Sequence, residues 1–99
     1  MRSRYTAYGI GRVAYIMETT HPESPHRRPD SGRWQLELEA FCRLTDFQKL
    51  EVMSTKTEGE QGWVTFHATL QQAKQDASFT EKSLFERLNG RWFYLTAVD

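Results

Sequence analysis

The spacing of hydrophobic residues changes once along this chain, about midway. Before that point apolar residues recur every three to four positions, as on one side of a helix. The stretch Met1–Thr19 is predicted to form two short helices separated at Gly9–Gly11, since glycine lowers helix stability and lets the backbone turn. A third helix is predicted over Gly32–Leu44, capped at its amino end by Asp30 or Ser31.

The segment His21–Gly32 separates these helices and is predicted to be an exposed loop, because it has three prolines and no apolar period. His21 precedes Pro22, which disfavours helix, so we expect His21 to be a helix cap or an exposed residue. The cluster His26–Arg28 is interpreted as solvated basic residues, with contact to an anion as the alternative.

The second half of the chain alternates apolar and polar residues, which is typical of strands with one buried face. Four strands are predicted, over Phe47–Thr57, Gly62–Gln72, Ser78–Leu88 and Arg91–Val98. The last two flank Asn89-Gly90, a strong hairpin signal because a type I′ turn needs positive φ at both positions. The order indicates an α+β fold with helices packed in the concavity of a curved four-stranded antiparallel sheet.

The alternation also assigns the two faces of this sheet. One face carries large residues and is expected to curl around the helices, leaving a conical pocket for a small-molecule ligand. The opposite face carries Trp63, Thr65 and His67, and a large exposed aromatic residue there is consistent with a homodimer interface.

Composition narrows the class of protein. The 99 residues are enough for one domain, 1–99, and 38% hydrophobic content supports a packed core. Thirteen basic residues balance thirteen acidic ones, so neither nucleic acid nor a membrane is expected as a main partner. No apolar run is long enough to span a membrane and no signal peptide follows Met1, so we expect a cytoplasmic protein.

The sequence has no motif that would bind a metal ion or a cofactor. A single cysteine, Cys42, excludes an internal disulfide and is predicted to be a small buried hydrophobe. No histidine stands at ligand spacing from it, so no metal site is expected. Without a glycine-rich phosphate loop or a Ser/His/Asp arrangement, no cofactor is expected either.

Several segments together resemble the YchJ-type domain of bacteria, and they run through nearly the whole chain. They are MRSRYTAY at Met1–Tyr8, Tyr15-Ile16-Met17 before His21-Pro22, Leu50-Glu51-Val52, Val64-Thr65-Phe66, Glu81-Lys82-Ser83-Leu84-Phe85 and Asn89-Gly90-Arg91-Trp92-Phe93-Tyr94. The family's pattern in this strand is similar to His-Glu-x-Ser-x-Phe. Glu81, Ser83 and Phe85 match it, whereas Thr80 stands where the histidine would be. The resemblance implies a nuclear transport factor 2-like cone, also known from ketosteroid isomerase.

Family members often carry cysteine-rich SEC-C zinc motifs before or after this domain. The sequence has neither, which leaves open a short relative, an isolated domain or a late-starting gene model. Zinc binding is therefore not carried over from the resemblance.

In the cone that the resemblance implies, one set of residues is expected to line the pocket. It consists of Arg4, Tyr5, Tyr8, Trp34, Phe66, Glu81, Ser83, Phe85, Trp92 and Tyr94. Glu81 lies on an apolar face, so it must be paired, hydrogen-bonded or protonated. An ion pair with Arg2 or Arg4 is the simplest interpretation, and the alternatives are a general base or a ligand anchor.

Two possible functions use the pocket, and a third, an interaction adaptor, would use the outer sheet face and the basic loop His26–Arg28. The first is a non-enzymatic module whose pocket binds a ligand or a protein. The second is a cavity enzyme of isomerase or dehydratase type, with Glu81 as general base assisted by Tyr5, Tyr8 or His21.

Overall fold

Three helices precede five strands in the computed structural model, which describes residues 2–98. They are α1 (Arg2–Ile10), α2 (Val13–Glu18), α3 (Ser31–Leu44), β1 (Thr45–Glu58), β2 (Gln61–Gln72), β3 (Gln75–Asp76), β4 (Phe79–Leu88) and β5 (Arg91–Val98). The predicted start of the first helix at Met1 lies outside the described residues.

The break between α1 and α2 falls at Gly11. Its φ is 75°, an angle that residues other than glycine rarely adopt. The Arg12 N–H closes the end of α1 by donating to the Ala7 carbonyl at 2.8 Å. Gly9 stays helical, so the break begins later than predicted. A Cβ at Gly9 would lie 3.9 Å from the Phe47 Cβ, which is an ordinary van der Waals distance, so an alanine would fit there.

Helix α3 begins where the cap was predicted. Asp30 is the capping residue, and its carboxylate accepts a hydrogen bond from the Arg33 N–H at 3.1 Å. Trp34 is buried on the inner side of the helix. The helix ends at Leu44 and Thr45 begins β1 without an intervening loop.

The strands form one antiparallel sheet in the order β1-β2-β4-β5. The predicted α+β class, with helices against a curved antiparallel sheet, is confirmed. Two register shifts in β1 bend that strand, as bulges do. The predicted polar turn after β2 contains the two-residue β3, which pairs back on the end of β2.

The core lies on the inner face of the sheet, where Phe66, Ala68 and Leu70 of β2 are buried. The alternation predicted this face correctly. Tyr5 of α1 and Phe47 of β1 pack against the same cluster, so α1 is placed directly over the middle of the sheet.

Candidate functional site

A cavity of about 450 Å³ lies between the helices and the inner face of the sheet. Its apolar walls come from all three helices and three strands, namely Tyr5, Tyr8, Ile16, Trp34, Leu38, Phe41, Phe47, Phe66, Ala68, Leu70 and Phe79. Its polar residues are Arg4, Thr20, His26, Arg28, Glu37, Glu81, Ser83 and Tyr94. Apolar walls with a few convergent polar groups are the usual form of a small-molecule site.

Arg4 brings a buried positive charge to this cavity, with only 7% of its surface exposed. Its Nη1 donates to the Ile16 carbonyl at 3.2 Å, to Thr19 Oγ1 at 2.7 Å and to Thr20 Oγ1 at 3.3 Å. Burial lowers the pKa of Arg4, but an arginine side chain stays protonated at neutral pH. The charge is therefore held by neutral acceptors at the end of α2.

Tyr94 stands between Arg4 and Glu81. The Arg4 guanidinium carbon lies 4.9 Å from the centroid of the Tyr94 ring, a cation–π contact. The Tyr94 hydroxyl donates to Glu81 Oε2 at 3.0 Å, and the buried Ser83 hydroxyl donates to the same oxygen at 2.5 Å. Burial and the neighbouring Glu81 raise the pKa of Tyr94 well above its usual value, so it stays a donor.

The predicted ion pair between Glu81 and Arg2 or Arg4 is wrong. Within residues 2–98, no basic side chain lies within 4.0 Å of the Glu81 carboxylate. Arg2 is exposed on α1, and Arg4 turns toward the end of α2. Alternation predicts the face that a side chain occupies but not its partner, and hydroxyls on β4 and β5 satisfy Glu81 instead.

Tyr5 and Tyr8 place two further hydroxyl groups at the cavity wall. Burial raises the pKa of both, and the neighbouring Arg4 opposes that rise at Tyr8. The Tyr5 hydroxyl is buried and has no hydrogen-bond partner among the described residues. Leaving such a group unpaired costs about 1–3 kcal/mol, and this hydroxyl is closed to solvent, so it is not a bonding position for a ligand.

The loop after α2 forms the mouth of the cavity. His26 packs on Tyr94 with ring centroids 5.6 Å apart, and Arg28 lies 3.6 Å from Glu37 at an exposed position. Arg27 instead lies over Trp34 at 5.1 Å and donates to the Thr20 carbonyl. The prediction that His26–Arg28 is a solvated cluster is therefore only partly right. Its position at the cavity could not be predicted, because the hydrophobic residues of this loop follow no regular spacing.

His21 is 3% exposed, so the expected exposure is wrong. Its Nδ1 accepts from the Glu23 N–H at 2.9 Å, which leaves Nε2 as the donor to Glu86 Oε1 at 3.0 Å. His21 does not line the cavity. It ties the loop to β4 instead of serving the pocket.

Phe85 and Trp92, predicted to lie in the pocket, line a second depression beside the β1–β2 hairpin. Phe85 pairs with Gly62 near that hairpin, and Trp92 is 38% exposed over the same glycine. The cavity reaches only as far as Ser83 along β4. The alternation predicts the face of a strand but not how far along it the helices extend.

Trp63, Thr65 and His67 do not line the cavity. Lys56 Nζ lies 5.8 Å from the Trp63 ring centroid, and Trp63 is half-buried instead of fully exposed. His67 Nδ1 lies 2.8 Å from Thr80 Oγ1. Less apolar surface is therefore free on this face than the sequence led us to expect.

Cys42 is only partly buried, and burial raises the pKa of its thiol, which disfavours a reactive thiolate. No group of three metal-ligating side chains occurs within residues 2–98. In the same range, no helix is long and apolar enough to cross a membrane.

A curved antiparallel sheet with helices packed on its inner face defines an NTF2-like domain. The family model described as the middle NTF2-like domain of YchJ matches residues 1–97. The chain belongs to this family, which confirms the resemblance that its opening octapeptide carries.

Curated relatives are longer than this chain. A UPF0225 protein of Vibrio parahaemolyticus is 34% identical over 95 residues, which cover 96% of this chain and 54% of that protein. A UPF0225 protein of Streptomyces coelicolor is 33% identical over 94 residues, covering 95% and 67% respectively. The chain thus spans about half the length of the first of these relatives.

Two solved structures share the fold. The solution structure of a SEC-C motif containing protein from Rhodopseudomonas palustris has a TM-score of 0.82 and 31% identity, covering all of this chain and 76% of that one. The crystal structure of a SEC-C motif containing protein from Psychrobacter arcticus has a TM-score of 0.75 and 24% identity, covering 97% and 56%. The second likeness concerns the fold alone.

Proposed function

We propose that the cavity binds a small ring-bearing molecule and does not change it chemically. The observation that carries this proposal is a cavity of about 450 Å³ whose apolar walls are mostly aromatic and whose polar residues include Arg4 and Glu81. Aromatic walls favour flat ring systems, and the polar residues favour a ligand with a polar group.

The position of the cavity favours a small molecule over a protein partner. Its walls come from helices on one side and from the inner sheet face on the other, so a ligand would lie between two layers. Protein interfaces are usually broad and bury about 800 Å² on each partner. A cleft of this size suits a ligand of one or two rings.

NMR titration with 2-naphthamide and with 2-naphthoate tests this proposal. We expect amide shift changes around Phe66, Trp34 and Tyr94 with at least one of the two compounds. Ala68→Leu should weaken them, because Ala68 is 3% exposed and lines the cavity, so that a larger side chain fills it.

Thr69→Leu is the matched control, since Thr69 is the next residue of β2 and does not line the cavity. It should leave binding unchanged, provided that both variants keep the native spectrum. Absence of shift changes with both compounds would contradict the proposal.

A cavity enzyme with Glu81 as general base is the second candidate. The absence of an arginine beside Glu81 favours it, since the carboxylate is left free to act on a ligand. Against it, two hydrogen bonds already engage Oε2, so part of the carboxylate is occupied by Tyr94 and Ser83. His21 is not part of this candidate site because it lies outside the cavity.

Proton exchange separates the two candidates. The ring ketone 2-tetralone carries exchangeable protons beside its carbonyl, and a general base in the cavity would speed their replacement by solvent deuterium. Equal exchange rates with the native protein and Glu81→Gln would contradict the enzyme. A clear excess for the native protein would contradict the non-enzymatic proposal.

A further inference from the structure

We propose that the molecule bound in the cavity is a ring-bearing carboxylate whose anionic group faces Arg4. This inference rests on the proposed function and specifies the charge and orientation of its ligand.

Arg4 is a buried cation without an anion. Its hydrogen bonds with the end of α2 all leave from Nη1 and reach a carbonyl and two hydroxyls. No carboxylate lies within 4.0 Å of it in residues 2–98. Because a buried charge is costly without a partner of opposite sign, an anion entering the cavity would be stabilised here.

The chemistry of the guanidinium favours a carboxylate over a phosphate. A planar fork of donors matches the two oxygens of a carboxylate in a bidentate pair. The Tyr8 hydroxyl, whose pKa is raised by burial, lies beside Arg4 and adds a neutral donor. A single buried arginine balances one negative charge, whereas a phosphate dianion needs more.

Glu81 determines which way the ligand points. Its carboxylate is held by Tyr94 and Ser83 and would repel an anion placed against it. The anionic group therefore lies on the Arg4 side of Tyr94, and the ring lies along the aromatic wall that includes Trp34 and Phe41.

The mouth does not supply an equivalent cation. Arg28 lies 3.6 Å from Glu37, and both side chains are about half exposed, at 59% and 45%. An exposed charge with an acidic neighbour attracts an anion weakly. Because Arg28 also lines the cavity, Arg28→Gln tests the mouth as the rival anion site, and Arg2→Gln, at an exposed position of α1 outside the cavity, is the matched control for Arg4.

Calorimetric titration with 2-naphthoate and its neutral isostere 2-naphthamide tests the inference. We expect the native protein to bind the carboxylate at least about tenfold more tightly, since a hydrogen bond to a charged group exceeds a neutral one by that order. Arg2→Gln and Arg28→Gln should keep this preference. Arg4→Gln should lose it, provided that circular dichroism shows a folded protein.

Two further measurements hold even if Arg4→Gln does not fold. Glu81→Gln should strengthen binding of 2-naphthoate but not of 2-naphthamide, because it removes the repelling charge. In the native protein, the NMR signal of the Arg4 Nε–H should shift with 2-naphthoate and stay in place with 2-naphthamide.

Equal affinities for the two compounds would overturn the inference and leave the proposed function standing. Loss of the preference in Arg28→Gln would place the anion at the mouth and would also overturn it. If neither compound binds, the proposed function fails together with the inference.

Discussion

Arg4 joins three elements through one guanidinium group. It belongs to α1, donates to the last turn of α2 and lies over the Tyr94 ring of β5. The α1–α2 pair is short and is separated by a glycine turn, so few other side chains hold the two helices in place. The contacts of Arg4 therefore contribute to the angle between them.

Replacing Arg4 by methionine should lower the free energy of unfolding by about 1–2 kcal/mol, because Nη1 leaves three acceptors without their donor. Urea denaturation measures this change. Arg2→Met is the matched control, since Arg2 is exposed on the same helix, and it should change stability little. Equal effects of the two substitutions would contradict the role assigned to Arg4.

Tyr94 should make the protein sensitive to alkaline pH. Burial and Glu81 raise its pKa above the ordinary value of 10.0, so its stabilising contribution is complete below pH 10 and is lost as the pH rises further. Thermal melting between pH 8 and 11 should show a falling Tm. Tyr94→Phe should have a lower Tm at pH 8 and a shallower decline above pH 10, and an unchanged slope would contradict this assignment.

Single side chains were the least predictable part of the site. The tyrosines of α1 and the inner residues Phe66, Glu81 and Ser83 line the cavity, and the family resemblance was what had pointed to them. The partners of Glu81 were not predicted, because hydrogen bonds between strands depend on register. Phe85 shows the same limit, since its face was right and its distance from the helices was not.

Among the elements, the segment after α2 is attached to β5 by backbone hydrogen bonds. The Tyr94 N–H donates to the Thr19 carbonyl at 2.8 Å, and the His21 N–H donates to the Tyr94 carbonyl at 2.7 Å. The His21 side chain then reaches Glu86 on β4. These hydrogen bonds therefore anchor the first residues of the loop that forms the mouth of the cavity.

His21→Ala should lower the free energy of unfolding by about 1–3 kcal/mol, as loss of a buried and hydrogen-bonded side chain usually does. Differential scanning calorimetry measures it as a fall in Tm. His67→Ala is a suitable control, because His67 is half-buried and its described hydrogen bond is to Thr80, outside the cavity. A larger effect at His67 would mean that the loop is not held by His21.

Element types and order followed from local chemistry. The change of hydrophobic period marks the end of the helices, and Asn89-Gly90 forms the predicted turn with φ values of 51° and 80°. The errors lie where packing overrides propensity. Gly9 remains in α1 although glycine lowers helix stability, and the two-residue β3 is too short to show a period.

At the scale of the whole molecule, we propose a homodimer through the outer sheet face that carries Trp63, Thr65 and His67. Light scattering should then give twice the chain mass of 11.6 kDa. Trp63→Glu should give the single-chain mass, because a charge there is costly to bury. Thr65→Arg, a substitution with less effect on the monomer fold, should do the same, and a native monomer at high concentration would contradict the proposal.

The double role of Arg4 has a consequence for engineering this domain. Variants of Arg4 that accept a different ligand will also lose stability, so selectivity is better changed from the sheet. Phe79 and Glu81 of β4 reach the same cavity without holding the helices to each other. For the same reason, an arginine that is kept at this position in a redesigned variant reflects its contacts with α2 and β5, and it does not identify the ligand that the variant binds.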